Sequence, residues 1–476
     1  MRPGSASADG ARRPPGDTAM SAAGAIVAAP ASGNGKTVVT LALLRAFRRR
    51  GLAVGSFKVG PDYLDPMFHS SATGHPCYNL DSWAMRIETL AALGDSTARA
   101  TDVVLGEGVM GLFDGAADSQ GSTADLASLF DLPVILVVDA RGMGASAAAL
   151  VEGFTRHRDD VEVAGVIFNR VASPRHAAVL RRACDDRFAQ PVLGCLASDP
   201  RLEVPSRHLG LVQAGELQAL ESFLDGAADV VAGEVDLDRL QRLMRPFGLG
   251  LYGPPARPLR PLGQRIAIAA DHAFAFAYPA IVEGWRQAGA EVVPFSPLAD
   301  EAPDPAADAV FLPGGYPELH AGTLAGHADF LAGLHACAAR GAFLYGECGG
   351  FMVLGATLTD RAGERHRMAD LLPVETSFAA PRLHLGYRRV RLLRPLPLGR
   401  AGTTFRGHEF HYASLVEAGG RTAEPLFEAT DARHQPLGDL GAQQGSVAGS
   451  FIHLIDRTTE PDDGTPRPNH LSVVES

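Results

Sequence analysis

The sequence predicts two α/β domains in tandem, the first built on a parallel sheet with a phosphate loop, and three observations carry that reading. Ala29-Pro30-Ala31-Ser32-Gly33-Asn34-Gly35-Lys36-Thr37 lies between an apolar run, Ala25 to Ala28, and an amphipathic stretch from Thr37. This is the strand, glycine-rich loop and helix order that holds an anion on converging backbone N–H groups. Short β-rich runs alternate with helical patterns twice along the chain, with a Pro- and Gly-rich interval between the two series. Late in the second series a cysteine stands in Gly346-x-Cys348-x-Gly350, directly after an apolar run.

In the first series Gly33 and Gly35 relieve the loop, Lys36 places a cation near the outer phosphates and the Thr37 hydroxyl is a magnesium ligand. Pro30 stands where the first glycine of such loops is expected. Ala53 to Val59, Val103 to Glu107, Pro133 to Asp139 and Val163 to Asn169 are nearly continuous in apolar residues. Strands covered on both faces of a parallel sheet read this way. From about Gly226 to Gly263 the chain turns polar and then rich in Pro and Gly, at Gly253-Pro254-Pro255 and Arg257-Pro258. A linker over 226–262 is therefore expected between domains at 21–225 and 263–457.

The second series opens with a strand at Arg265 to Ala269 and a helix at Tyr278 to Ala288. Strands at Glu291 to Phe295 and Ala309 to Leu312 follow, then a helix around Leu324 to Ala339, a strand at Ala342 to Tyr345 and the Gly346 to Gly350 turn. The end is richer in short strands and closes with Gly449-Ser450-Phe451-Ile452-His453. Residues 1–20 read as a disordered tail or an over-extended start with Met20 as initiator, and 458–476, dense in Pro, Asp, Glu and Thr, as a mobile tail.

A chain of 476 residues exceeds what one core accommodates, and a hydrophobic share of 46% supports full globular packing. No apolar run approaches the roughly 20 residues a membrane helix needs. Net charge is −11 without a long Lys/Arg block, which argues against a nucleic-acid partner and for small-molecule substrates. Cys77, Cys184, Cys195, Cys337 and Cys348 are odd in number and form no CxxC pair. A reducing cytoplasm fits them better than a disulfide framework or a zinc site.

Two constellations carry chemistry. A sharp turn at Cys348 pushes a nucleophile out of the backbone, and the following helix N-terminus favours a thiolate. Pro313-Gly314-Gly315-Tyr316-Pro317-Glu318 follows an earlier strand and offers backbone N–H groups, near Gly315, to an oxyanion. His453 is the candidate base. In the first half Lys58-Val59-Gly60-Pro61-Asp62-Tyr63-Leu64-Asp65-Pro66 and Glu107-Gly108-Val109-Met110-Gly111-Leu112-Phe113-Asp114-Gly115 each follow a strand. Strand ends in an open α/β sheet share one crevice, so Lys58, Asp62, Asp65, Glu107 and Asp114 are expected near Lys36 and Thr37. Carboxylates beside a triphosphate require a metal between them, which implies Mg²⁺ held by Thr37, Asp62 and Glu107. Lys58 suits charge stabilisation on a transferring phosphoryl group. Asn169, at the end of its strand, is a candidate reader of the adenine edge.

On Gly315, Cys348 and His453 the second half resembles the class I glutamine amidotransferase domain, which implies a flavodoxin-like α/β fold and release of ammonia from L-glutamine through a thioester. Members usually carry an acid two positions after the histidine. Here Ile455 stands there, a departure shared with the cobyric and cobyrinic branch, and Glu347, Glu409 or a backbone carbonyl are left to orient His453. The first half is similar to dethiobiotin synthetase and, through the two stretches at Lys58 and Glu107, closer to the cobyrinate a,c-diamide synthase family. Val204 to Gly210 and Arg406-Gly407-His408-Glu409-Phe410-His411-Tyr412 extend the likeness and read either as binding or interdomain segments or as plain core and strand partners. The resemblance implies ATP-driven amidation of two acetate carboxylates on a corrin polycarboxylate, with Asp62, Asp65 and Asp114 selecting the acetate presented. Arg201, Arg207 and Arg388 are candidates for offsetting the substrate's negative charge, while lone histidines such as His69 and His75 are read as surface or core residues. A homodimer is one admitted assembly. Cobyric acid synthase and a nickel-sirohydrochlorin diamide synthase share both halves, and a partitioning-type ATP switch shares the phosphate loop but leaves Cys348 unexplained.

Overall fold

The computed structural model describes residues 22–187, 189–203, 214–251, 254–416 and 422–458. The expected tail 1–20, all but the first residue of 458–476, and the Val204 to Gly210 stretch with Arg207 lie outside the described residues.

Seven strands, β1 (Ala23–Ala28), β2 (Val54–Val59), β3 (Cys77–Leu80), β4 (Val103–Glu107), β5 (Val134–Asp139), β6 (Val163–Val171) and β7 (Val192–Ala197), form a parallel sheet in the order β3-β2-β4-β1-β5-β6-β7. Helices cover both faces, and β1, β2 and β4 are buried along nearly their whole length. The register matters more than the order. It sets Glu107 beside Lys58 of β2 on one side and beside Val27 of β1 on the other, so the phosphate loop, a lysine and a glutamate emerge side by side at one sheet edge.

The interval expected as a linker is built differently. Residues 226–234 are the second half of a helix, Ala214–Glu234, whose Leu220, Leu224, Ala227 and Val231 recur at helical spacing and are buried against the helix Lys36–Arg49. Asp225 and Glu221 on that helix pair with Arg45. What read as a polar stretch is its solvent stripe. A second helix, Leu237–Leu243, follows, and β8 (Arg245–Pro246) pairs antiparallel with β1. Phe247 then fills a slot between Phe57 and Phe130, with ring centroids 5.3 and 5.5 Å away. Gly24 and Gly94 make the slot, because a Cβ on Gly24 would stand 2.9 Å from Phe247 Cβ and one on Gly94 2.8 Å from Phe130 Cε1. The first domain therefore ends near residue 250, and the chain that leads from it to the second domain is shorter than expected.

The second domain centres on parallel strands β9 (Arg265–Ala269), β10 (Glu291–Phe295), β11 (Ala309–Leu312) and β12 (Phe343–Glu347), ordered β10-β9-β11-β12 and continued by Val447–Ser450 and Ala442–Gln444. The single helix expected over 324–339 is two, Ala321–Gly326 and Ala328–Ala339, broken at His327. His327 takes an extended backbone and its Nδ1 lies 2.8 Å from the Pro297 carbonyl, while Asp300 accepts from Phe330 N. An antiparallel sheet of Pro436–Leu440, Phe427–Asp431, His384–Leu392, Thr404–His411 and Ile452–Arg457 packs against the first domain. Trp83 stacks on Tyr387 at 4.4 Å beneath the guanidinium groups of Arg389 and Arg406, and the Tyr387 hydroxyl donates to Asp81 Oδ2 at 2.8 Å. Among the described residues no helix is long and apolar enough to cross a membrane.

Candidate active site

The phosphate loop turns on two left-handed residues, Gly33 at φ 84° and Gly35 at φ 86°, and Gly35 caps the helix Lys36–Arg49. A side chain at Gly35 is excluded twice, by its φ and by Asn169, whose amide nitrogen occupies the position a Cβ would need. Asn169 Nδ2 donates to the Asn34 carbonyl at 3.0 Å and its Oδ1 accepts from Arg170 N. The residue expected at the adenine edge thus packs against the loop itself. Arg170 adds a bond to the Gly33 carbonyl and an ion pair with Asp139.

Around the loop the structure gathers Thr37, Lys58, Asp65 and Glu107. Thr37 Oγ1 donates to Glu107 Oε1 at 2.5 Å, and Lys58 Nζ lies 2.9 Å from the same oxygen and 2.5 Å from Asp65 Oδ2. Asp62 Oδ1 accepts from the N–H groups of Leu64 and Asp65, which shapes the entry to the helix Asp65–Thr73. Burial alone would raise the Glu107 carboxyl, but Lys58, His69 and Lys36 hold it well below the usual carboxylate range. Burial disfavours charge on Lys58 as well, yet Glu107, Asp65 and Asp62 push its ammonium up. Asp65 is raised by burial and by the Glu107 charge.

Two outcomes refine the sequence reading. Asp114 is exposed and its carboxylate accepts from Gly111 N at 2.8 Å, closing its own turn, in a loop that bends back onto Pro30 of the phosphate loop. His69, read from sequence as a bland core or surface histidine, is fully buried with Nε2 2.7 Å from Glu107 Oε2. Burial opposes a charge on His69, but the Cys77 sulfur and the Glu107 carboxylate raise its imidazole to about 10. The signal was its position four residues after Asp65 on one helix, which puts both on the same face. Of the arginines named as charge-offsetting candidates, Arg388 is committed to Glu409 at 2.6 Å and Arg201 to Asp199.

In the second domain Cys348 adopts φ 47° and ψ −103°, a strained conformation costing about 1–3 kcal/mol. The surroundings impose it: Cys348 N donates to the Ser450 carbonyl at 2.8 Å, and a Cβ on Gly346 or Gly350 would run into the turn's own backbone or into the Leu312 carbonyl. Strand Val447–Ser450 runs parallel to β12 with Glu347 opposite Ser450, so His453, three residues further on, arrives at the elbow. Gly314 is wedged between the pair, since a Cβ there would overlap the His453 ring and stand 3.3 Å from Cys348 Cβ. Gly315 N lies 3.1 Å from the Cβ position of Gly349, on the elbow side.

The charge state of this pair differs from expectation. Instead of favouring a thiolate, the site pushes the Cys348 thiol up, first through burial and then through neighbouring acids, Glu318 foremost and Glu409 among them. The helix Gly349–Leu354 is six residues long, too short for its dipole to win. His453 is held neutral, pushed down to about 3 by burial and by His408 and His411. A neutral imidazole beside a thiol is competent as a general base but does not ionise the sulfur in advance. Neither acid named as an orienter bonds to His453: Glu347 Oε2 is 3.9 Å from Nδ1, its other oxygen accepts from Leu454 N, and burial raises it to about 8. Glu409 is engaged by Arg388 and by His411 Nε2 at 2.9 Å. The Arg406 to Tyr412 stretch serves both sides of its strand, with Arg406 and His408 facing the first domain and the Phe410 carbonyl 3.7 Å from Cys348 Sγ.

Known proteins place this geometry. Residues 25–212 match the CobQ/CobB/MinD/ParA nucleotide binding domain, and 265–460 the CobB/CobQ-like glutamine amidotransferase domain. The chain is 54% identical over 439 residues to the hydrogenobyrinate a,c-diamide synthase of Brucella abortus, covering 92% of this chain and 99% of that protein. Proteins of the same name from a Sinorhizobium species and from Mesorhizobium japonicum are 53% and 50% identical over 91% and 92% of this chain, and 98% and 100% of their own lengths. With a phosphate-loop domain and a cysteine elbow in one chain, matched end to end at this identity, the protein belongs to the hydrogenobyrinate a,c-diamide synthase family.

Proposed function

We propose that this chain is an ATP- and glutamine-dependent ligase of cobalamin biosynthesis, which converts the a and c acetate carboxylates of hydrogenobyrinate, or of its cobalt-bearing counterpart cobyrinate, into acetamides. The observation that carries it is the junction of the two constellations. Tyr63, on the loop between Lys58 and Asp65, has its ring centroid 4.5 Å from that of His453, while Asp65 touches Lys58. Tyr63 and Asp65 are two residues apart, so Lys58 and His453 lie within about 20 Å of each other by the reach of the chain. The sites face one seam.

A carboxylate is a poor electrophile, and ATP supplies the leaving group. The acetate oxygen attacks the γ-phosphorus, the bond to the β–γ bridging oxygen breaks, ADP leaves and the acetate becomes an acyl phosphate. The loop N–H groups and Lys36 hold the phosphates, and Lys58 stabilises charge on the phosphoryl group in transfer. The oxygen-only donor set of Thr37, Glu107, Asp62 and Asp65 fits Mg²⁺, which when bound neutralises phosphate charge. Buried Glu107, oriented by His69, is the fixed anion of that set. In the second domain Cys348 attacks the glutamine amide as His453 takes its proton, and Gly315 N–H stabilises the oxyanion. Ammonia leaves as His453 returns the proton, water releases glutamate, and ammonia displaces phosphate from the corrin.

Cys348→Ser tests the two-site scheme. Synthesis with glutamine is expected to vanish while synthesis with added ammonium persists, and loss of both refutes it. Mass spectrometry of products from hydrogenobyrinate and from cobyrinate decides between the two corrins.

A further inference from the structure

His453 is fully buried, yet among the described residues neither of its ring nitrogens has a hydrogen-bond partner, and Ile455 occupies the place where the usual acid would steer it. A histidine that must present one nitrogen to a thiol needs its ring plane held. The nearest carboxylate oxygen, Glu347 Oε2, is beyond bonding distance at 3.9 Å. Packing holds the ring instead, and part of that packing comes from the other domain. Tyr63 lies against the imidazole at 4.5 Å and 37°. Tyr63 is in turn fixed by Phe276 at 5.1 Å and 17° and by Tyr278 at 5.1 Å, and the Tyr278 hydroxyl donates to the Pro61 carbonyl on the same loop. Aromatic pairs at these separations have preferred geometries and resist reorientation.

We propose that Tyr63, supplied by the ATP-binding half, is a positioning residue of the glutamine-hydrolysing half: its ring holds the His453 imidazole toward Cys348 in place of an orienting acid. This rests on reading Cys348 and His453 as nucleophile and base. The aromatic face does the holding, so the phenol oxygen is dispensable. The glutamine site is then complete only across the domain seam. The loop that completes it is also the one that sets Asp62 and Asp65 beside Lys58.

The test compares Tyr63→Ala, Tyr63→Phe and wild type in the full-length enzyme, reading glutamate release from glutamine and amide formation from ammonium with ATP and hydrogenobyrinate. Misplacing the base by a fraction of an ångström should lower kcat for glutamine hydrolysis roughly tenfold or more in Tyr63→Ala, with KM for glutamine and ammonium-driven synthesis within about threefold of wild type. Tyr63→Phe should restore glutamine hydrolysis to within about twofold, because the ring is retained. Three results overturn the proposal: Tyr63→Ala hydrolysing glutamine at the wild-type rate, Tyr63→Phe as impaired as the alanine variant, or glutamine- and ammonium-driven synthesis falling in equal proportion. Cys348→Ser run alongside separates the premises. If that variant still uses glutamine, the nucleophile assignment fails whatever Tyr63 does. If it does not and Tyr63→Ala remains wild type, the positioning role alone fails.

Discussion

Replacing Arg86 with alanine isolates the clasp between the domains. Asp456 is fully buried and accepts from Arg86 N at 2.9 Å, from Nε at 3.1 Å and from Nη2 at 2.9 Å. Burial raises the Asp456 carboxyl and Arg86 pulls it back down. Without the guanidinium, a buried carboxylate keeps the backbone N–H of residue 86 and the Thr89 hydroxyl but loses its bidentate counter-charge, which costs about 3–5 kcal/mol. The loss has a pH signature. Asp456 already has a folded-state pKa above its unfolded value, and Arg86→Ala raises it further. A protonated carboxyl carries no ionic penalty and the unfolded chain is common to both, so the deficit relative to wild type is smallest below the wild-type folded pKa and grows as pH rises through it, by about 1.4 kcal/mol per unit until the further raised folded pKa of the variant is passed. Adding Asp456→Asn removes the orphaned charge while its amide oxygen still accepts from the backbone of residue 86, so most of the loss should return. Urea unfolding midpoints at acid and at neutral pH, for wild type, single and double variants, provide the measurement. A double variant as unstable as Arg86→Ala, or a deficit that shrinks as pH rises, refutes the reasoning.

Gly314→Ala places a Cβ into the His453 ring and 3.3 Å from Cys348 Cβ, so glutamine-driven synthesis should fall about 100-fold while ammonium-driven synthesis stays near wild type; equal loss of both in the two assays would show a folding defect rather than a displaced base. Glu347→Gln keeps the acceptor for Leu454 N but cannot ionise. Because burial raises Glu347 from 4.5 to about 8, wild type holds a proton there that the unfolded chain releases. The variant's stability advantage should therefore grow from about pH 4.5 to 8, reaching at most about 3 kcal/mol at pH 7. A pH-independent difference in thermal or urea unfolding contradicts the assigned burial.

Features written in neighbouring residues are legible in the sequence. The parallel strands announce themselves as unbroken apolar runs because both faces are covered. The phosphate loop is readable in Gly33 and Gly35 because glycine readily takes their left-handed backbone, and at Gly35 Asn169 also leaves no room for a Cβ. The gathering of Lys58, Asp65 and Glu107 with Thr37 follows from strand ends sharing a crevice, whereas the bond from Gly111 N that engages Asp114 is a turn contact that spacing does not announce. The expected linker misled for a physical reason: the helix Ala214–Glu234 shows solvent one polar stripe, and Phe247 is held by glycines far away in sequence. His69 shows in the sequence only as a position on the same helix face as Asp65, because its partner Glu107 lies on a strand far along the chain.

By itself the sequence determined which groups are present and which local geometries they favour: an anion-binding loop, a nucleophile on a sharp turn, a histidine after a late strand and two sheets to carry them. Tertiary structure alone decided their state and company. Burial and neighbouring carboxylates keep Cys348 a thiol, contrary to the local pull of a helix N-terminus. A tyrosine from one half lies on the histidine of the other, with no trace in the spacing of either. The physical reason is that backbone preference acts within a few residues, whereas desolvation, charge and ring packing depend on whatever the whole chain brings within several ångströms.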